Sequence, residues 1–236
     1  MKAFVGTSGW LYGWNKESSL EWYAKNSGLN AIELNASFYR FPFPNQVVGW
    51  RKTGGMLRWS IKVNRIVTHI HMLNDKAIAT YEKFIEIFKP LDDIVEFYLF
   101  QMPPRFSILQ KERLEDFVKS FDQKRIALEF RNRSWYDFDF DKMDFGGAIV
   151  SPDSPEISRI VFAKNGLEYI RFHGRRYWYS YKYSKGELEE MADLAIAKKP
   201  RKIMAFFNNN HDMLANAREF ASCLKGLETK TKDYYN

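Results

Sequence analysis

Short apolar runs alternate with amphipathic stretches along the whole chain. Strand-like runs lie at residues 3–6, 30–34, 58–63, 94–100, 125–130, 147–150, 167–172 and 202–207. Amphipathic stretches follow most of them. Ile78, Tyr81, Ile85 and Phe88 fall on one helical face, as do Leu114, Phe117, Val118 and Phe121, and Leu188, Met191, Ala192 and Ala195. Eight strands with intervening helices predict a closed parallel barrel of the α/β class, a (β/α)8 TIM-like barrel forming a single domain over residues 1–227. Residues 228–236 read as a polar, frayed C-terminal tail. An open doubly wound sheet is the alternative. It usually carries a glycine-rich dinucleotide loop after its first strand, and Gly6-Thr7-Ser8-Gly9-Trp10 does not have that form.

The polar positions within the strands carry the functional signal. Strand side chains alternate between faces. One face collects Ala31, Glu33 and Asn35; Ser60, Lys62 and Asn64; Phe97, Leu99 and Gln101; Ala127, Glu129 and Arg131; and Tyr169, Arg171 and His173. The other face carries Ile32 and Leu34, Ile61 and Val63, Leu128 and Phe130, and Ile170 and Phe172. In a barrel the outer face packs under helices and must be apolar, so the polar set points inward. Charges are almost never buried unpaired. Glu33, Lys62, Glu129, Arg131, Arg171 and His173 therefore share one cavity near the C-terminal ends of the strands, the active-site mouth of this fold. A structural charge network filling the barrel is the bland alternative.

The loops at that mouth add ligand-binding candidates. Gly6-Thr7-Ser8-Gly9 offers backbone N–H groups to an anion, with a plain turn as the default. Trp10, Tyr39 with Arg40, Trp135 and Tyr177 are aromatic or basic residues in loops after strands, suited to stacking bases and neutralising phosphate. Asn35, Gln101, Asn208 and Asn209 end strands and can point inward. Pro103 and Pro104 stiffen the loop behind Gln101. His69 and His71 form a His-x-His pair, but in a loop, and the chain has 4 His. A metal site is not favoured, although a divalent metal stays open as a cofactor, and His69 is the better candidate as a ligand contact.

Composition narrows the setting. The 236 residues carry 36 Lys plus Arg against 29 Asp plus Glu, a net +7, which favours polyanionic partners, nucleic acid or a phosphate-bearing small molecule. The single Cys, Cys223, rules out an intrachain disulfide. No apolar stretch reaches membrane-spanning length, so no membrane role and a cytoplasmic setting are expected. Oligomeric state is not legible.

Several motifs together resemble the YecE-like family (domain of unknown function 72), TIM-barrel proteins without an assigned reaction. The matching stretches are Gly6-Thr-Ser-Gly-Trp10, Ile32-Glu-Leu-Asn35 with Phe38-Tyr-Arg40, Lys62, Thr68-His69, Gln101-Met-Pro-Pro104, Glu129-Phe-Arg131 with Ser134-Trp135, Arg171-Phe-His-Gly174 and Phe207-Asn-Asn209. The resemblance implies a TIM-like barrel and no particular reaction. The chain departs from the family pattern in a shortened segment between Trp14 and Leu20 and in lacking a glycine-containing loop after Asn209.

From the residues, the leading expectation is a hydrolase acting on a phosphodiester in nucleic acid. Lys62, Arg131 and Arg171 hold the phosphate, Glu129 or Glu33 activates water, and His173 protonates the leaving oxygen. Thr7, Ser8, Trp10, Asn35, Tyr39, Arg40, His69, Gln101, Trp135, Tyr177, Asn208 and Asn209 contact the ligand. One alternative is a carbohydrate or sugar-phosphate enzyme using Glu33 and Glu129 as an acid/base pair, roughly 6–10 Å apart. The other is a non-catalytic binder of single-stranded nucleic acid.

Overall fold

In the computed structural model, which describes residues 1–233, eight parallel strands close into a barrel in chain order, with the last strand paired to the first. They are β1 (Lys2–Thr7), β2 (Ala31–Leu34), β3 (Arg58–Lys62), β4 (Val95–Gln101), β5 (Ile126–Glu129), β6 (Ala148–Asp153), β7 (Leu167–Phe172) and β8 (Lys202–Phe207). Six α-helices lie among the described residues: α1 (Leu20–Asn26), α2 (Pro44–Gly54), α3 (Asp75–Ile87), α4 (Lys111–Lys119), α5 (Lys185–Ala197) and α6 (Met213–Asp233).

The strands are buried on both faces, as parallel sheets require. Inside the barrel, Ala31, Phe97, Leu99, Ala127, Ala148, Val150, Leu167, Tyr169, Met204 and Phe206 pack together, with Phe4 against them. Outside, Ile32, Leu34, Ile61, Leu128, Ile170 and Phe172 join the helices in a larger core. The inward phase expected for β2, β3, β4, β5 and β7 is the phase observed. Closure also needs close backbone approach at β1. A Cβ on Gly6 would lie 2.3 Å from the Ala31 carbonyl oxygen, so only glycine fits there.

Two of the seven connections between strands hold no α-helix. Between β5 and β6 the chain makes two short 3-10 turns, Arg133–Trp135 and Phe140–Lys142, and between β6 and β7 it makes one, Lys164–Gly166. Aromatic side chains take the helix's place over this part of the barrel. Trp135 stacks on Phe130, with ring centroids 4.0 Å apart, and lies parallel to Phe106 and Phe140. Its indole N–H donates to the Phe106 carbonyl. Trp135 is wholly buried, so it has no free face for a base, which corrects the expectation that it stacks a ligand.

The chain end also differs from expectation. Residues 228–233 continue α6 rather than forming a tail. No proline or glycine follows Gly226 to stop the helix. Residues 234–236 lie outside the described part. Among the described residues, no helix is long and apolar enough to cross a membrane.

Candidate active site at the barrel mouth

The C-terminal ends of β2, β5 and β7 bring four ionisable side chains into one buried cluster. Arg171 on β7 reaches across the barrel to β2 and binds Glu33 with two bonds, Nε to Oε2 at 3.0 Å and Nη2 to Oε1 at 2.6 Å. Its Nη1 donates to Glu129 Oε2 on β5 at 2.5 Å. Glu33 also accepts from Ser8 Oγ at 2.6 Å and from Tyr169 Oη at 2.7 Å, and Tyr169 Oη lies 2.6 Å from Ser60 Oγ. Both Glu33 oxygens are thus fully engaged. Glu129 Oε1 faces Arg131 Nη2 at 2.5 Å and His173 Nε2 at 3.4 Å. Arg131 Nη2 is also 3.2 Å from His173 Nε2.

The electrostatics follow from these pairings. Burial would raise the Glu129 carboxyl, but Arg131 and then Arg171 outweigh it and hold the group well below the usual carboxylate range. Burial, with Arg131 and Arg171 alongside, pushes His173 down to about 3, so the imidazole is neutral near pH 7. The Nδ1 of that ring is buried without a hydrogen-bond partner. Two carboxylates, Glu33 and Glu129, balance two guanidiniums, Arg131 and Arg171.

Lys62 is the excess cation. It ends β3 and shares the inward face of Ser60. Its Nζ lies 4.1 Å from the centre of the Phe38 ring. Among the described residues no carboxylate comes within ion-pair distance of it, because Arg171 takes both of the nearby ones. Burial first, and Arg171 next, lower its ammonium to about 7, with Glu129 and Glu33 opposing the shift. His69, in the π-helical turn Ile66–Ile70 after β3, packs edge-on against the same Phe38 ring at 5.0 Å. Burial and Lys62 push His69 down to about 4.

The remaining sequence-derived candidates divide. Arg131 keeps 15% of its side chain exposed, and its guanidinium lies 4.6 Å from the Trp178 ring centre, open to the mouth. Asn35 is partly buried, and its Oδ1 has no partner. Gln101 is partly buried beside Glu129 in the β4–β5 register. Tyr39, Arg40 and Tyr177 are exposed on the rim. Trp10 is half-buried edge-on to Trp50 and Trp59. Thr7 is wholly buried, its Oγ1 donating to the Gly9 carbonyl and its N–H to Tyr23 Oη. Ser8 supports Glu33 and is buried as well. Asn209 is buried and spends its amide on the Tyr181 carbonyl and Asn216 Oδ1. Thr7, Ser8 and Asn209 therefore hold the loops together and are sealed from a ligand. Asn208 is partly buried, and its backbone N–H is bound to the Phe172 carbonyl.

Sequence reasoning passed over Trp178, Phe38, Ser60 and Tyr169 as site residues. Ser60 and Tyr169 each stand two positions before a charged residue on the same strand face, which was a usable signal. Trp178 sits amid Arg175-Arg176-Tyr177-Trp178-Tyr179, where nothing local says which ring turns inward. Its loop is placed by a second cluster: Arg175 Nε binds Asp153 Oδ2 at 3.0 Å and Arg175 Nη1 binds Glu190 Oε2 at 2.8 Å. Among the described residues no three of His, Cys, Asp or Glu gather in an arrangement able to hold a metal ion.

A family model described as "Protein of unknown function DUF72" matches residues 4–234. The UPF0759 protein YunF of Bacillus subtilis (strain 168) is 26% identical over 282 residues, spanning 98% of this chain and 99% of that protein. The crystal structure of a DUF72 family protein from Thermotoga maritima MSB8 superposes with a TM-score of 0.77 at 24% identity, covering 95% of this chain and 100% of that one. D-Psicose 3-epimerase from Clostridium cellulolyticum H10, crystallised with D-tagatose, superposes with a TM-score of 0.59 at 14% identity, covering 95% and 97%. The last likeness is one of fold.

Proposed function

The chain belongs to the DUF72 family of proteins of unknown function, and on that premise we propose that its barrel mouth takes the phosphate of an organic phosphate ester and that the protein is an enzyme acting on such esters. The observation that carries this reading is the unmatched charge of Lys62. The cluster beneath it is neutral in sum, so protonated Lys62 leaves the pocket one positive charge in excess, and an anion completes it. Arg131, its guanidinium over the Trp178 ring and its side chain 15% exposed, supplies the second contact.

A small substrate of the sugar-phosphate class suits this geometry better than a polymer. Lys62 and Arg131 are recessed below the rim, and Arg171, Glu33, Glu129 and His173 are sealed from solvent. An acid/base pair of Glu33 and Glu129 is not supported, because Arg171 stands between the two carboxylates and binds both. A carboxylate held so far below its usual range is a poor proton acceptor. His173, neutral and buried, is equally poor as a proton donor to a leaving oxygen.

Phosphodiester hydrolysis in nucleic acid is the second reading. The observation favouring it is the rim, where Arg40, Arg65, Arg105, Arg133 and Arg176 are exposed together with Tyr39 and Tyr177. Such a surface binds single strands by charge and stacking. Water activation would then fall to Lys62 in its neutral form, since both carboxylates are engaged.

Calorimetric titration separates the readings. Ribose 5-phosphate and its dephosphorylated parent are compared, alongside a short single-stranded DNA in a salt series. The expected result is binding of the ester but not of the parent, weakening above pH 7 and lost in Arg131→Ala. Equal binding of ester and parent would overturn the phosphate reading. Strand binding that falls steeply with salt and is lost in Tyr39→Ala and Tyr177→Ala would move the assignment to nucleic acid.

A further inference from the structure

We infer that Lys62 is a nucleophile that condenses with the carbonyl carbon of a phosphorylated aldehyde or ketone to form an imine. The inference rests on the phosphate reading in one respect: the phosphate on Arg131 is what brings the carbonyl to the amine.

Its position sets Lys62 apart from the other described lysines. Its amine lies inside the barrel mouth, at the end of a strand, where this fold carries its chemistry. It is partly buried, and among the described residues it has no carboxylate partner, although two carboxylates lie in the same cluster. A lysine kept for structure would be expected to claim one of them. Here both go to Arg171, and Lys62 rests on the apolar ring of Phe38. The other ionisable groups facing it are Arg171 on β7, Glu129 and Arg131 on β5, Glu33 on β2 and His69 in the loop after β3. The two guanidiniums oppose the two carboxylates, and burial then favours the neutral amine, which is the nucleophilic form. With its ammonium lowered to about 7, the neutral fraction of Lys62 at pH 7 is on the order of a thousand times that of an exposed lysine. Desolvated lysines of this kind are the ones that form Schiff bases.

The step balances without any further reagent. The amine nitrogen attacks the carbonyl carbon, the carbon–oxygen π bond breaks, and the oxygen takes the proton that nitrogen gives up. The resulting carbinolamine loses one water to leave the C=N bond. When the imine nitrogen is protonated, its positive charge sits beside Arg131 and Arg171. The phosphate of the same substrate offsets that charge, which explains why a phosphorylated carbonyl is favoured over a neutral one.

The test traps the imine. The full chain is incubated with dihydroxyacetone phosphate or glyceraldehyde 3-phosphate, with unphosphorylated dihydroxyacetone as control. Borohydride then reduces the imine to a stable secondary amine, and peptide mass spectrometry locates it. The expected result is an adduct on Lys62 that dominates over every exposed lysine. With substrate kept saturating, its yield should rise through pH 7 rather than pH 10, and it should be absent with the control and in Lys62→Arg. An adduct spread evenly over surface lysines, or none at Lys62, overturns the inference. Peptide mapping and the pH profile of the wild-type protein decide the question even if the variant does not fold. Phosphate-ester binding without an adduct would remove the imine and leave the phosphate reading standing. Loss of both would remove both.

Discussion

Arg171 and Glu33 form a two-pronged ion pair across the barrel, from β7 to β2, with both side chains sealed from solvent. Arg171 also binds Glu129, whose other oxygen faces Arg131, so Arg171 is the cation that both buried carboxylates share. Arg171→Met should cost about 3–5 kcal/mol, the range seen when one partner of a buried ion pair is removed. Urea unfolding measures this directly. The triple variant that also carries Glu33→Gln and Glu129→Gln should recover much of the loss, since no buried carboxylate is then left unpaired. Recovery failing to appear would show that packing, not charge, dominates there.

His173 should make the fold acid-sensitive in a defined window. Its folded-state value is about 3 against 6.5 for an unperturbed imidazole. Between those values the unfolded chain binds a proton that the folded chain does not, so stability rises with pH across the window. Glu129, depressed in the folded state, adds a loss of the same sign below its ordinary 4.5. Denaturation midpoints measured from pH 4 to 7 should climb in the wild type, and His173→Gln should flatten the part of the climb above pH 5.

Lys62 should be a residue the fold is better off without. Its side chain is partly buried, its ammonium has no carboxylate partner among the described residues, and its value falls from 10.5 to about 7 on folding. The unfolded chain therefore binds the extra proton between those values, and the folded state bears the full cost below pH 7. Lys62→Met should raise the melting temperature at pH 6, with a gain that shrinks toward pH 10, while abolishing phosphate-ester binding. A stabilised but inactive variant is what a functional site built against stability yields. Destabilisation by this change would mark Lys62 as a structural residue instead.

Glu168, on the outward face of β7, should act in the opposite direction. Burial pushes its carboxyl up to about 8, with Lys198 opposing, and neither oxygen has a hydrogen-bond partner. The folded chain keeps a proton there that the unfolded chain releases above 4.5, so this group lowers stability as pH rises from 4.5 to 8. Glu168→Gln should remove that decline. Unchanged pH dependence between pH 5 and 8 in the variant would show that the carboxyl ionises in the folded protein without penalty.

The barrel and the composition of its ionised cluster were legible because period-two alternation acts on both. The apolar outer face of Ile32, Leu34, Ile61 and Val63 fixes the inward phase, and Glu33, Lys62, Glu129 and Arg171 follow from it. What alternation does not encode is who pairs with whom. Arg171 reaches Glu33 only because closure sets β7 across from β2, a relation that no spacing along the chain expresses. That Arg171 binds both Glu33 and Glu129 is therefore seen only in the fold. A carboxylate free to activate water and one clasped by a guanidinium look alike in sequence. The loops were the least legible part. Asn209 has the residue type of a turn, a cap or a ligand contact, and its bonds to Tyr181 in the loop after β7 and to Asn216 in α6 follow no spacing that marks them in the sequence.

Trp135 and Tyr177 carry opposite consequences although both are loop aromatics after strands. Trp135 fills the gap left by the missing helix between β5 and β6, stacked on Phe130 with its N–H satisfied by Phe106. Trp135→Ala removes the centre of that stack and should cost about 3–5 kcal/mol, the usual range for deleting a large core aromatic. Tyr177, with 70% of its surface exposed, contributes little to the core, and Tyr177→Ala should change stability by less than about 0.5 kcal/mol. Its effect should be confined to ligands large enough to touch the rim. A small phosphate ester seated on Arg131 and Lys62 should bind Tyr177→Ala as it binds the wild type, whereas a single strand stacked on the rim should lose affinity. Parallel unfolding and binding measurements on these two variants separate the aromatic side chains that build the barrel from those that face its ligand.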